Sequence, residues 1–289
     1  GRGRHCGWGA LGSGVEGSWG LGRTVDDAAK VLSVMSGADR LDATTLDRAP
    51  MPVPAPRQDL RGLRVGVPRE YFPADLHPGV AAALQRTRQA ILDLGAEVCD
   101  VSLPHTPFAV PTYYIVAPAE AAANLARFDG VRYGPRKVGP DGDIRALYQA
   151  TRGEGFGAEV RRRILVGTYV LSAGYYDAYY RKAQLARALI ADDFRRAFAS
   201  GVDLLLTPTT PTPAFRAGEK TADPVEMYLA DIFVCAISLA GLPALSLPVG
   251  RSEGLPIGAQ LIAPYFEEER LLSAAAAIER TVSAVAEVR

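Results

Sequence analysis

The chain has 289 residues, 48% of them hydrophobic and 22% charged, and its 32 basic side chains balance its 32 acidic ones. A chain of this size and composition can bury a full globular core, and a net charge of zero argues against a generic nucleic-acid coat or a binder of acidic membranes. Three scattered cysteines (Cys6, Cys99, Cys235) read as reduced thiols of a cytosolic protein, three histidines without a CxxC pair offer no metal site, and no run of 18 apolar residues is present to span a membrane.

Residues 1–20 are rich in glycine and show neither helical nor strand periodicity, so this stretch is expected to lack a fixed structure and does not read as a signal peptide. Pattern begins at Thr24. "TVDDAAKVLSVMSG" predicts a helix capped by Thr24, with Asp26 and Asp27 in its first turn, an apolar stripe of Ala28, Val31, Leu32 and Met35, and Gly37 past its end. A loop rich in Pro and Asp leads to "LRVGVPREYF", a strand with Leu63, Val65 and Val67 on one face. "HPGVAAALQRTRQAILDLG" is a helix with Pro78 near its start and a stripe of Val80, Ala83, Leu84, Ala90, Ile91 and Leu94, and "AEVCDVSLP" is the next strand. Together these form a β-α-β unit and predict a parallel sheet covered by helices. Cys99 shares a face with Val101 and Leu103 and is expected in the core.

From about Tyr113 to Phe198 the pattern is helical. "VDLLLTPTTPTP" predicts a buried strand at Leu204–Leu206 and a loop stiffened by prolines. "LPALSLPVG" and "PIGAQLIA" read as a strand pair, and "EEERLLSAAAAIERTVSAV" as a closing amphipathic helix. The fold class is therefore α/β, with a mainly helical layer at about 110–200.

Most catalytic signatures are missing: the chain has no Walker loop, no GxGxxG after a strand, no HExxH and no GxSxG elbow. "GSGVEGS" lies in the unpatterned start, and Ser238 and Ser246 sit in apolar, strand-like sequence where core hydroxyls are expected. Two features stand out. In "EVRRRILVGTYVLSAGYYDAYYRKAQ" (159–184), three arginines precede five of the chain's 12 tyrosines. On a helical wheel Arg163, Gly167, Val170, Gly174 and Ala178 share one face, so small residues leave a groove with a guanidinium at its end. That guanidinium can meet a planar carboxylate with two parallel hydrogen bonds, or it can be a solvated helix end beside a groove that merely accepts another helix. The second feature is Asp231, the only charged side chain in the 24 residues from Met227 to Gly250. Its expected burial requires a partner, which can be a helix N-terminus, a basic side chain or a ligand's ammonium group. An Arg for a carboxylate and an Asp for an ammonium would describe an amino-acid site.

"LPHTPFAVPTYYIVAPAEAAANLARFDGVRYG", "TRGEGFGAEVRRRILVGTYVLSAGYYDAYYRKAQLAR" and the run from "DLLLTPTTPTPAF" to "LPALSLPVG" closely resemble the A subunits of the aspartyl/glutamyl-tRNA amidotransferases, a branch of the amidase-signature family. The resemblance covers residues from about 21 to the C-terminus. It implies a single amidase-signature domain, a mixed central sheet wrapped by helices, of which 21–289 would be the C-terminal part. It also implies hydrolysis of glutamine to glutamate and ammonia. The ammonia would pass to a B subunit, which uses ATP and Mg to amidate mischarged tRNA, with a small C subunit clamping the two. No cofactor or metal is implied for the glutamine-hydrolysing subunit itself. By the same resemblance, Arg163 would bind the glutamine carboxylate, Asp231 its amino group, and Tyr113 would line the pocket. The five tyrosines would pack with their hydroxyls satisfied at the edge. The family's Ser, cis-Ser and Lys triad would lie upstream of residue 1, because nothing in the chain matches it, and a shifted reading frame over the first 20 or so codons would produce such a join. On this reading the chain binds substrate and partners but is inactive alone. A stand-alone amidase of neutral amides would need neither Arg163 nor Asp231, and a scaffold that merely holds the other subunits would not bind glutamine.

Overall fold

The structure is a computed structural model that describes residues 20–42, 45–137, 143–219, 227 and 229–287, with side chains to residue 282. The glycine-rich start, with Cys6, His5 and the "GSGVEGS" stretch, lies outside the described residues. The chain divides into two compact units, whose described residues are 20–110 with 188–287, and 111–187.

The first unit is built on a five-stranded mixed sheet of order β2-β1-β3-β5-β4. The strands are β1 (Arg64–Pro68), β2 (Glu97–Val101), β3 (Leu204–Pro208), β4 (Ala244–Ser252) and β5 (Leu255–Ile262). β1 pairs in parallel with both β2 and β3, while β5 runs antiparallel between β3 and β4. The expected β-α-β unit and strand pair are both present. All five residues of β3 are buried, as the continuous apolar run requires of a strand covered on both faces. Gly66 permits the tight packing of β1, since a Cβ there would come within 2.8 Å of a Leu205 methyl and 3.0 Å of Val101 and Val202. β2 is an edge strand, so Cys99 is only half-buried and not the core residue expected.

Helices cover this sheet. α2 (Pro78–Asp93) starts at His77, whose Nδ1 accepts from the Gly79 amide, and it buries Val80, Ala83, Leu84, Ala90 and Ile91 as expected, while Leu94 of the expected stripe is its half-buried C-cap. Thr87 joins them because its hydroxyl is satisfied by the Ala83 carbonyl. α1 (Val25–Met35) has the expected Thr24 cap, with Oγ1 accepting from Asp27 N. Its buried side, however, is Val25, Ala28 and Ala29, with Leu32 half-buried and Val31 turned outward. The reason lies at its N-terminus, where Val25 N donates to the Glu279 carboxylate on the closing helix and so fixes α1's rotation.

Glu70, in the turn after β1, ties that turn to the end of β2. Its carboxylate accepts from Ser102 Oγ at 2.6 Å, from Leu103 N at 2.9 Å and from Arg69 Nε at 3.2 Å. Burial alone would raise its pKa, but these hydrogen bonds outweigh burial and hold it below the ordinary carboxylate value. A carboxyl depressed in the folded state stabilises fully above the unfolded value, and the contribution is lost as pH falls through the depressed one. Glu70→Gln is therefore expected to cost about 1.5 kcal/mol at pH 7. It should also remove part of the acid sensitivity, so that urea midpoints of wild type and variant converge on going from pH 7 towards pH 3.

The second unit is helical. It contains most of α3 (Ala109–Leu125), then α4 (Ile144–Gly155), α5 (Ala158–Val170) and the start of α6 (Lys182–Ala199). Arg152 on α4 donates from Nη1 to the carbonyls of Leu125 and Phe128, which satisfies the end of α3. α5 lies against α3 through Gly167, whose place could not take a side chain: a Cβ there would stand 2.0 Å from the Pro118 carbonyl oxygen. The predicted groove is thus filled by another helix. It is also shorter than the wheel suggested. The chain turns at 171–175, with Gly174 at φ +86°, and resumes as a π-helical turn over Tyr176–Arg181, so Gly174 and Ala178 do not continue the face of Arg163 and Gly167.

Candidate functional site

Arg163 sits one turn into α5 with its side chain 27% exposed, and its Nε donates to Glu159 Oε1 at 3.0 Å. Arg162 reaches the same carboxylate at 3.1 Å. Burial lowers the guanidinium's pKa, but the hydrogen bond and charge of Glu159, with Tyr113 and Tyr114 behind them, outweigh it, so the pKa is raised. Arg163 is a fixed cation oriented by an acid one turn earlier. Tyr113 is half-buried on α3, and its ring meets that of Tyr114 edge-on at 5.3 Å. Arg163 and Tyr113 belong to the same unit, and Tyr113 is among the groups that raise the Arg163 pKa.

The tyrosines after Arg163 differ from expectation. Tyr169, Tyr175, Tyr176 and Tyr179 are each 40% or more exposed. Ring centroids lie 4.3 Å apart for Tyr169 and Tyr175, 6.1 Å for Tyr175 and Tyr179, and 5.2 Å for Tyr176 and Tyr180. The break at 171–175 folds the segment back on itself, so the rings cover one another and not a core. The Tyr169 phenol is pushed up to about 12 by its hydrogen bond to Tyr175. Tyr180 alone is half-buried, with its hydroxyl accepting from Gln184.

Asp231 belongs to the first unit and stands at the N-cap of α7 (Ile232–Ala240). It is exposed, which corrects the expected burial: the apolar run around it is the buried body of α7, while the aspartate occupies the helix's open end. Its side chain makes no capping hydrogen bond, yet it lies at the positive end of the helix dipole. Its carbonyl accepts from Val234 N and Cys235 N. The buried Cys235 thiol is pushed up to about 12, first by burial and then by the Asp231 charge. α7 stops at Gly241, which adopts the left-handed conformation.

Sequence reading missed what holds these groups. Glu159 orients Arg163. Under α7, Gln260 of β5 donates from Nε2 to Thr207 Oγ1 at 3.0 Å and to the Phe233 carbonyl at 3.1 Å, and the Phe233 ring lies 5.4 Å from that of Tyr71. Gln260 was legible in principle as the lone polar side chain in "PIGAQLIA". Ser246 is exposed, its hydroxyl 2.8 Å from that of Thr209, and Ser238 lies on α7 and not on a strand; neither is the core hydroxyl on a strand that was expected. A separate cavity of about 500 Å3 in the first unit is lined by Ser102, His105, Asp193 and Arg196 among others. There the buried Asp193 takes His105 Nδ1 at 2.9 Å and Arg196 at 2.8 Å, which staples α6 to the loop before α3. Among the described residues, no group of three or more His, Cys, Asp or Glu could hold a metal, and no helix is long and apolar enough to cross a membrane.

The chain is similar to the A subunit of the glutamyl-tRNA(Gln) amidotransferase of Thioalkalivibrio sulfidiphilus, 54% identical over 276 residues that cover 94% of this chain and 57% of that one. It is 56% identical to the protein of the same name from Azorhizobium caulinodans over 260 residues, 89% of this chain and 52% of that one. The chain thus spans little more than half the length of the curated relatives it matches. Among solved structures, the glutamyl-tRNA(Gln) amidotransferase A subunit of Thermotoga maritima superposes with a TM-score of 0.76 at 36% identity, covering 97% of this chain and 56% of that one. The peptide amidase of Stenotrophomonas maltophilia shares the fold, with a TM-score of 0.71 at 23% identity over 98% of this chain and 57% of that one. The family profile described as amidase matches residues 15–272, and with the mixed sheet and its covering helices in place the chain belongs to the amidase family.

Proposed function

We propose that this chain is the glutamine-recognising part of a glutamyl-tRNA(Gln) amidotransferase A subunit. The observation that carries the reading is the identity of more than half to relatives of that name across about nine-tenths of the chain, against 23% to a peptide amidase of the same fold. In this reading glutamine is hydrolysed by the whole enzyme to glutamate and ammonia. The ammonia serves a B subunit that uses ATP and Mg to amidate mischarged tRNA, with a C subunit completing the complex in the cytoplasm or an organellar matrix. Arg163 takes the glutamine carboxylate, for which its oriented, permanently charged fork is suited. Tyr113 lines the same end, and Asp231, at the N-terminus of α7, takes the α-ammonium group. This subunit needs no cofactor or metal of its own.

On this reading the family's Ser, cis-Ser and Lys triad has no counterpart in this chain. Ammonia release from millimolar glutamine is therefore expected to stay at the uncatalysed rate, with and without the B and C subunits. Turnover that tracks the purified chain, and disappears when one of its serines is changed, would overturn this part of the reading.

A further inference from the structure

We propose that Gln260 is a positioning residue for Asp231: its buried carboxamide grips the first turn of α7 and thereby sets where the Asp231 carboxylate stands. This rests on the proposal that Asp231 recognises the α-ammonium group of glutamine.

The register of the sheet places Thr207 on β3, Gln260 on β5 and Ser246 on β4 in one row, so their side chains project from the same face. Thr207 is fully buried and Gln260 nearly so. One step along this face, Gly258 leaves room for the Thr209 and Ser246 hydroxyls, since a Cβ there would come within 2.7 Å of Ser246 Oγ and 2.9 Å of Thr209 Oγ1. A polar lane therefore runs across the sheet, with the hydroxyl pair at its exposed end.

Packing alone does not call for a carboxamide at this depth. An aliphatic side chain of similar volume fills a core without leaving donors to satisfy. What the carboxamide adds is direction. One acceptor of its Nε2 protons is Thr207 on the sheet, and the other is the Phe233 carbonyl in the helix. A carbonyl oxygen has two lone pairs, so Phe233 can accept from Gln260 while serving its own helix. Phe233 is two residues from Asp231, within the same turn, so fixing its carbonyl fixes both the height and the rotation of the N-cap. The Tyr71 ring against the Phe233 ring holds the other side of that turn. The path from sheet to carboxylate is thus Thr207, Gln260, Phe233, Asp231, entirely within the first unit.

The test compares two ligands on the full 289-residue chain by titration calorimetry: glutamine, and 4-carbamoylbutanoate, which lacks the α-amino group. Wild type is expected to prefer glutamine, and Asp231→Asn to erase that preference. Gln260→Met, which keeps the volume but removes both donors, is expected to lower the preference about tenfold, as a displaced binding group does, while leaving affinity for 4-carbamoylbutanoate unchanged. Thr207→Val, which leaves the Phe233 bond in place, should shift the ratio in the same direction by less, and it carries the test alone if Gln260→Met does not fold. Equal weakening of both ligands, or an unchanged ratio in Gln260→Met alongside a lost one in Asp231→Asn, would make Gln260 a packing residue and overturn the proposal. A wild type without preference, or an Asp231→Asn variant that retains it, would overturn the reading of Asp231 and this proposal with it.

Discussion

Gly167→Ala should destabilise the helical unit by about 2–4 kcal/mol, at the upper end of what one added methyl group does in a packed interior. Two effects oppose each other. Alanine in place of glycine inside a helix is favourable by about 1 kcal/mol. Against this, the new Cβ would stand 2.0 Å from the Pro118 carbonyl oxygen, 2.6 Å from its carbon and 2.8 Å from the Ala122 methyl. The first two atoms are backbone and cannot rotate away, so α5 must move off α3. Glycine is tolerated because a hydrogen occupies that direction, where it can make a weak Cα–H to carbonyl contact. Pro118 has no amide proton and so leaves a gap in α3's own ladder beside this contact. The measurement is the urea midpoint. An unchanged or raised midpoint would show that the two helices are not in contact at Gly167.

Asp231→Asn is expected to weaken glutamine binding about tenfold to a hundredfold, the effect of losing about 1.5–3 kcal/mol from a hydrogen bond to a charged group. Arg163→Lys keeps the charge but loses the planar fork, and it too should weaken binding. Because Arg163 also pairs with Glu159, the change could act through α5 alone. Arg162→Lys controls for this, since Arg162 bonds the same carboxylate at 3.1 Å, and its Kd should stay within about twofold of wild type, the scale of an exposed ion pair. Equal losses in Arg162→Lys and Arg163→Lys would assign the effect to helix stability and remove Arg163 from the site.

What the sequence made legible follows from how local each determinant is. The Thr24 cap, the β1-α2-β2 unit and the buried β3 rest on residues a few positions apart, and the structure has them all. Rotation of α1 was not legible, because Glu279 sets it from 254 residues away. The run from Arg163 to Ala178 reads as one wheel only if the helix is continuous, and Gly174 breaks it. Asp231 sits in apolar sequence, but composition does not show where a helix begins, and a residue at the open end of a buried helix is exposed. Arg163 could be singled out because it heads a helical face of small residues, and Asp231 because it is the only charge in an apolar run. Gln260 is uncharged and its partners are a hydroxyl 53 residues away and a backbone carbonyl, so its role appears only with the register of the sheet.

The most direct test of the account is a titration of the purified chain with glutamine. One saturable site is expected, with a Kd in the micromolar-to-millimolar range usual for enzyme substrates, about 1 μM to 1 mM, and with binding lost or sharply weakened in Asp231→Asn. No saturable binding up to tens of millimolar would contradict the claim that this chain recognises glutamine.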